Sequence, residues 1–569
     1  MDDLLIRNAT LLDGSGAEPL MGDLAVRDGR IRIIGKSLRV NAMRIVDADG
    51  LALMPGIIDS HTHYDAQITW DPQVRPSPEQ GVTTAVIGNC GFTIAPCRPQ
   101  DRELTMRNLT QVEGMSLDVL RQGIRWGFET FAEYLAQLRA SGSAVNVAAY
   151  VGHSSLRTWV MGADATQREA TQDEIAQMAA LVREAMAAGA VGLASSTSPA
   201  HNGAAGVPMP SRLASDGEHI ALIEAMGAAG GGVYMVTKGG QMPVALLEEM
   251  SARSKRPVMI AALLHNPMNP RAVFDDLEAI AAANARGRQL IGQVSCCPLS
   301  MEFTLASPYP VEGLVSWQPA LGVQDAALKA VLADKSFRDA VRAELAAPAV
   351  FRLFNGEWHK VHVVEAALEN NRALEQRSIA SIAAERGQDP LDTMLDLALA
   401  EDLRTTFIAG LLNSDEAAVA AMLNHPHSIV SLSDAGAHLT FFNDAGFGLH
   451  LLGHWVRERG AMSLQEAARR LTSQSALLFG MKNRGLLREG YAADLLLFDP
   501  KTVGRASSRR VFDLPGGAPR LTTDAIGVHG VWVNGVQIVD KQGRLDQAPL
   551  AGELMTRFSQ ASGNTRLNS

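Results

Sequence analysis

The sequence predicts an α/β protein: a (β/α)8 TIM-like barrel with a small β-sandwich built from both chain termini. Three observations carry this reading. Eight short apolar strands alternate with Ala- and Leu-rich helical stretches between residues 56 and 434, the pattern that a barrel of parallel strands requires. The strand-and-turn texture of the first fifty residues returns only in EGYAADLLLFDP and VHGVWVNGVQIVD, near the other end of the chain. An open doubly wound sheet also alternates, but it rarely uses eight such units and usually shows a Gly-rich phosphate turn; neither G-x-G-x-x-G nor a Walker pattern occurs here.

Residues 1–55 alternate apolar and polar positions and break at D-G and Gly pairs, as in LLIRNATLLD and DLAVRDGRIRIIG, so they read as the N-terminal part of the β-sandwich. The barrel follows over 56–483. Its strands are expected at GIIDSH (56–61), VTTAVIGN (82–89), VNVAAYVG (145–152), AVGLASS (190–196), GVYMVTK (232–238), VMIAALL (258–264), LIGQVS (290–295) and SIVSLSD (428–434). Helices intervene, among them FAEYLAQLRA and DEIAQMAALVREAMAAG. Between strands seven and eight, about 296–426 is far longer than an ordinary βα connection and is expected to shape the substrate mouth. Its Phe303, Tyr309, Trp317, Phe351, Phe354 and Trp358 suit a bulky or hydrophobic group, or the insertion's own core. Residues 484–546 complete the β-sandwich, and 547–569 form a polar tail.

Composition narrows the function. Across 569 residues, 47% hydrophobic and 20% charged positions describe a folded globular chain. A net charge of −10 is the wrong sign for a protein that works by neutralising phosphates. No apolar run approaches the ~20 residues of a membrane span, and MDDLLIRNAT lacks the basic start of a signal peptide. Four cysteines, two of them adjacent, are too few for a disulfide scaffold and fit a cytoplasmic enzyme. The expected partner is a small molecule, with no nucleic acid and no membrane; the Ala-rich barrel surface suits a homo-oligomer.

The chemistry gathers at the C-terminal ends of the strands, where barrel enzymes work. His61 and His63 end the first strand in IIDSHTHYD, and side chains two apart on a strand share a face, so both imidazoles can converge on one ion. Alone, H-x-H could equally be a hydrogen-bonded core pair. Cys90 in IGNCGF offers a thiolate suited to zinc, though a lone cysteine is more often a small buried hydrophobe. His265 ends the sixth strand, and Asp434 ends the eighth in SLSDAGAH, where a carboxylate can bind a metal and take a proton from its water. An N-cap or turn role would also suit S-D-A-G, but the first and last strands of a closed barrel are neighbours. Lys238 ends the fifth strand in YMVTKGG, and a free ammonium beside a cation is repelled. Three outcomes stay open: carbamylation to an anionic ligand, an ammonium standing in place of a second metal, or a side chain turned aside to a carboxylate. His153, His201 and His438 are candidates for substrate contact, with structural roles as the alternative.

With these residues in view, the chain resembles the amidohydrolase superfamily in its D-aminoacylase (N-acyl-D-amino-acid deacylase) branch. The likeness runs through PGIIDSHTHYD, the GNCGF turn, NVAAYVGHSSLR, AVGLASS, the SDAG turn and GLLREGYAADLLLFDP. It implies a metal-bearing barrel in which His61, His63, Cys90, His265 and Asp434 match positions that bind zinc or act as acid/base. Two departures stand out. The fifth-strand position, usually histidine in a T-H pair, is Lys238, and the family's H-P-R element is replaced by AHLTFFNDAG. The expected activity is zinc-dependent hydrolysis of a non-peptide C–N bond, most simply an N-acyl amide, with one or two Zn2+ ions and Asp434 as general base. Alternatives are a metal-dependent lactone or ester hydrolase and a non-catalytic relative that binds its ligand without turnover.

Overall fold

A computed structural model describes residues 1–112, 114–348, 352–545 and 549–559. All eight expected barrel strands are present: Ile57–Asp59, Val82–Ile87, Asn146–Gly152, Gly192–Ser196, Val233–Thr237, Val258–Leu263, Leu290–Val294 and Ser428–Val430. They pair in sequence order as one curled parallel sheet. Its two edges meet where Thr62 bridges Ala435 and the His63 N–H donates to the Ala435 carbonyl at 2.8 Å. The strands are covered by barrel interior on one face and helices on the other, so nearly every residue in them is buried. That double burial is why they read as continuous apolar runs rather than as alternation.

The helices start where local chemistry allows. Gln172–Ala188 begins at a capping box in which Thr171 and Glu174 satisfy each other's backbone donors, and it stops at left-handed Gly189. Phe131–Ser141 has the same box from Thr130 and Glu133. No helix among the described residues is long and apolar enough to cross a membrane.

Strands from both termini share a nine-stranded sheet. Its seam is the antiparallel pairing of Ala52–Pro55 with Leu495–Phe498. Of the polar tail expected from residue 547, 549–559 runs under the barrel, where Leu554 bridges Val147; residues 547, 548 and 560–569 lie outside the described residues.

The insertion holds a three-stranded sheet (Leu299–Phe303, Val361–Glu365, Thr406–Leu412) and four helices around a core of its own. Of the two readings of its aromatic residues, a wall for a bulky substrate or the insertion's own core, the described residues follow the second. Phe303, Trp317 and Phe354 are buried in that separate core, with Tyr309 and Trp358 packed against it. A three-stranded sheet has one face to cover, and these rings cover it. Phe351 lies outside the described residues.

The floor of the barrel is tied by one carboxylate. Asp494 is ion-paired to Arg484 and accepts from Asn146 Nδ2 at 3.0 Å and the Asn534 N–H at 2.8 Å. Arg484 also reaches Glu553 at 2.7 Å. Third strand, terminal sheet and tail therefore meet on a buried charge pair. Arg484→Ala strands that carboxylate, and removing one partner of a buried pair costs about 3–5 kcal/mol. The expected result is a marked fall in the urea unfolding midpoint; an unchanged midpoint would show that solvent already screens Asp494.

Candidate active site

The barrel mouth gathers residues from the first, second and eighth strands. Donor atoms of His61, His63 and Cys90 all lie within 4.8 Å of one another, and all three residues are buried. Asp434 completes the group, its Oδ1 standing 3.2 Å from His61 Nε2 and 3.5 Å from His63 Nε2. Cys90 Sγ sits 3.5 Å from His61 Nε2. Two of these residues are aimed by left-handed backbone: Cys90 (φ 57°) in the tight Asn89–Gly91 turn and Asp434 (φ 48°) just after the eighth strand. Such conformations in non-glycine residues are uncommon and concentrate where a side chain must be pointed. Beside Asp434, Gly436 (φ 93°) lets the eighth-strand loop press on His63, since a Cβ there would stand 2.6 Å from the His63 carbonyl.

The imidazole of His61 is set from behind. Its Nδ1 lies 2.6 Å from Gln293 Oε1, and Gln293 Nε2 donates to Ser60 Oγ at 3.2 Å. With the amide so oriented, Nδ1 must carry the proton, which leaves the Nε2 lone pair facing Cys90 and Asp434. Sequence reasoning missed Gln293. Its signal was one amide inside the otherwise apolar strand LIGQVS.

Charges in the group support each other. Burial pushes the Cys90 thiol up, but the His61 and His63 imidazoles overcome this and hold it at about 7. Burial likewise opposes ionisation of Asp434, yet His61, His63 and His438 hold its carboxyl well below the usual range. Asp59, beneath the pair, is pushed up to about 7 by burial, and its Oδ1 accepts from the His61 N–H at 3.2 Å. Two imidazole nitrogens, a thiol and a carboxylate converging in one buried spot suit a divalent cation, zinc above all.

The remaining candidates divide. His201 and His438 line the same cavity, of about 60 Å³. His201 bonds Ser196 Oγ through Nδ1 at 2.7 Å, and burial with the nearby His438 and His63 imidazoles pushes it down to about 3. His153 does not reach the mouth: fully buried, it bonds Ser195 Oγ and Glu218 Oε1, each at 2.8 Å, in a network completed by Arg157. It is a core histidine at the start of the helix His153–Met161, held by that buried network.

Lys238 and His265 are displaced by strand register. The fifth and sixth strands send Thr237 and Ala262 to the cavity, and Thr237 Oγ1 lies 3.1 Å from Cys90 Sγ. With a period of two, the residue after Thr237 faces away. Lys238 accordingly pairs with Asp276 of the helix that follows the sixth strand (Ala272–Ala285) at 2.9 Å. This corrects Lys238 as a ligand and as a site of carbamylation: its ammonium already has a carboxylate. His265 is not among the cavity's lining residues; Asn413, at the end of the insertion, clamps its backbone through bonds of 2.8 and 3.3 Å.

The comparisons with known proteins agree with this centre. A model of the amidohydrolase family matches residues 44–539. N-acyl-D-aspartate deacylase of Alcaligenes xylosoxydans xylosoxydans is 31% identical over 546 residues, 95% of this chain and 92% of that protein. D-aminoacylase of the same organism is 30% identical, with 98% of each chain covered. A D-aminoacylase structure described as holding a binuclear metal centre superposes with a TM-score of 0.66 at 28% identity, covering 98% of this chain and 100% of its own. A match across most of the chain, joined to the His61–His63–Cys90 cluster at the barrel mouth, places the protein in the D-aminoacylase branch of the amidohydrolase family, as a metal-dependent hydrolase of carbon–nitrogen bonds other than peptide bonds.

Proposed function

We propose that the chain hydrolyses an N-acyl amide with one zinc ion held by His61, His63, Cys90 and Asp434, and with Asp434 as general base. The carrying observation is the position of Asp434 Oδ1, within 3.5 Å of both imidazole Nε2 atoms. A zinc ion bound among these donors supplies a Lewis acid that acidifies water and polarises a carbonyl. Asp434 takes the proton from the attacking water; as the C–N bond breaks, it returns that proton to the leaving nitrogen. Gln293 keeps His61 in the tautomer that leaves Nε2 free, and the imidazoles of His201 and His438 border the space for the acyl group. Thr237 and Ala262 stand where further ligands from strands five and six would be needed, which supports one ion rather than two. The four buried free cysteines support a reducing, cytoplasmic setting.

Elemental analysis is expected to give one zinc per chain, falling with turnover in His61→Ala and His63→Ala; wild-type zinc content in both variants would remove the first-strand assignment. Asp434→Asn is expected to keep the fold and lower kcat by about 10²–10⁴, the usual cost of losing a general base. Near-wild-type kcat would place the base elsewhere. Lys238→Met is expected to keep its zinc and activity and to lose at most about 1 kcal/mol of stability, since the Lys238–Asp276 pair is partly solvated. Loss of zinc in that variant would return Lys238 to the centre.

A further inference from the structure

The loop after the eighth strand carries His438, which lines the metal cavity, and runs on to the helix Phe447–His450. Surface loops commonly leave carbonyls to water. Here the carbonyls of Leu439, Thr440, Phe441 and Asn443 are taken by parts of the chain outside the barrel. Leu439 accepts from the Leu521 N–H at 2.7 Å, and Thr440 from Arg510 Nη1 at 3.1 Å. Phe441 accepts from the Glu302 N–H at 2.9 Å, and Asn443 from Arg505 Nη1 at 3.4 Å. Leu521 and Arg510 belong to a hairpin, Arg509–Leu514 with Ala518–Thr522, which leaves the terminal sheet between Leu495–Phe498 and Val528–Val533. Glu302 belongs to the insertion's sheet. Arg510 joins the two, since its Nη2 donates to Glu302 Oε2 at 2.7 Å.

We infer that Arg510 is a positioning residue for the active site: by tying Thr440 to Glu302 it holds the loop that presents His438 to substrate, and so sets substrate affinity. This rests on the reading above, in which His438 borders the acyl space, and extends it to a residue that does not itself line the cavity. The coupling is short. His438 has left-handed backbone (φ 54°), its carbonyl accepts from the N–H groups of Phe441 and Phe442, each at 3.0 Å, and its ring lies 5.4 Å from that of Phe441. Residues 438–442 are therefore one tight turn, and releasing Thr440 releases His438 with it. Arginine suits this post because its planar fork donates in two directions at once, with charge-assisted bonds. Asp434 is insulated from the turn. Ala435, next to it, is fixed to the first strand through Thr62 and the His63 N–H, so slack beyond it stops there. Loss of Arg510 then weakens substrate binding and leaves the metal donors and the base in place. An ordinary surface ion pair would do neither; it would add little stability and nothing to substrate affinity.

The test uses the zinc-loaded full chain with Arg510→Ala and, to remove the other end of the same bond, Glu302→Ala. N-acetyl-D-leucine and N-acetyl-D-aspartate are assayed by amine release. Each variant is expected to raise KM at least about tenfold while kcat stays within about threefold and zinc content is unchanged, the pattern of lost binding that ground and transition states share. Wild-type KM in either folded variant overturns the inference. So does a parallel loss of zinc and kcat, which would show a general loosening of the barrel mouth. Should the wild-type chain hydrolyse neither amide, that refutes the choice of substrate and not the role of Arg510, which calorimetric binding of pentanohydroxamic acid then decides. A Kd at least about tenfold weaker in the variants sustains the role. An equal Kd, or no binding even to the wild-type chain, overturns it.

Discussion

The contact between the two ends of the curled sheet governs the rest of the molecule. His61 and His63 leave the first strand some 370 residues before Asp434 leaves the eighth, and only the meeting of those edges makes them neighbours. The joint is backbone and hydroxyl hydrogen bonding throughout. Thr62 bridges Ala435, Ser60 N–H donates to Ser431 Oγ at 3.1 Å, and Ser433 Oγ donates to the His61 carbonyl at 3.3 Å. Small hydroxyl residues on the eighth strand allow this close approach and also satisfy backbone groups that burial would otherwise leave unpaired. The same serines border Asp59, so a carboxylate that burial pushes up to about 7 sits inside the seam. The stability of the seam and the geometry of the metal donors are one problem with one solution.

Around that seam the centre is aimed from several directions. Gln293 of the seventh strand fixes the His61 ring, Thr237 of the fifth touches the Cys90 sulfur, and Gly436 admits the loop against His63. Each is a short-range contact from a barrel strand or the loop that follows it. That is the arrangement expected where ligands must be held in place before the ion arrives.

Much of this was legible in the sequence. The eight strands stood out because a parallel strand buried on both faces must be apolar along its whole length, and His61, His63, Cys90 and Asp434 were placed by their position at strand ends. The failures share one physical cause. Lys238 lies next to Thr237, and His265 lies three residues past Ala262, so each misreading is a slip of register where a strand gives way to its loop. An apolar run with no alternation offers no phase, and nothing in VYMVTK says which of Thr237 and Lys238 looks inward. His153 was open between substrate contact and a structural role, and Glu218 and Arg157 hold it in the core. That network joins residues more than sixty positions apart and leaves no local signature.

The insertion between strands seven and eight begins and ends at the same place. Leu299 pairs with Leu412, and Asn413 Nδ2 donates to the carbonyls of Ser295 and Cys297 at 2.9 and 2.8 Å. More than a hundred residues thus leave the barrel and return through a gap that one asparagine spans. Because the excursion carries its own core and its ends are already joined, the entropic cost of closing it depends little on its length. The barrel can therefore tolerate exchange of this module for a longer, shorter or unrelated one, as a socket accepts different fittings. Through Tyr309, stacked 5.6 Å from Phe441 in the loop that also carries His438, a new module would still touch the rim of the site without altering the metal donors.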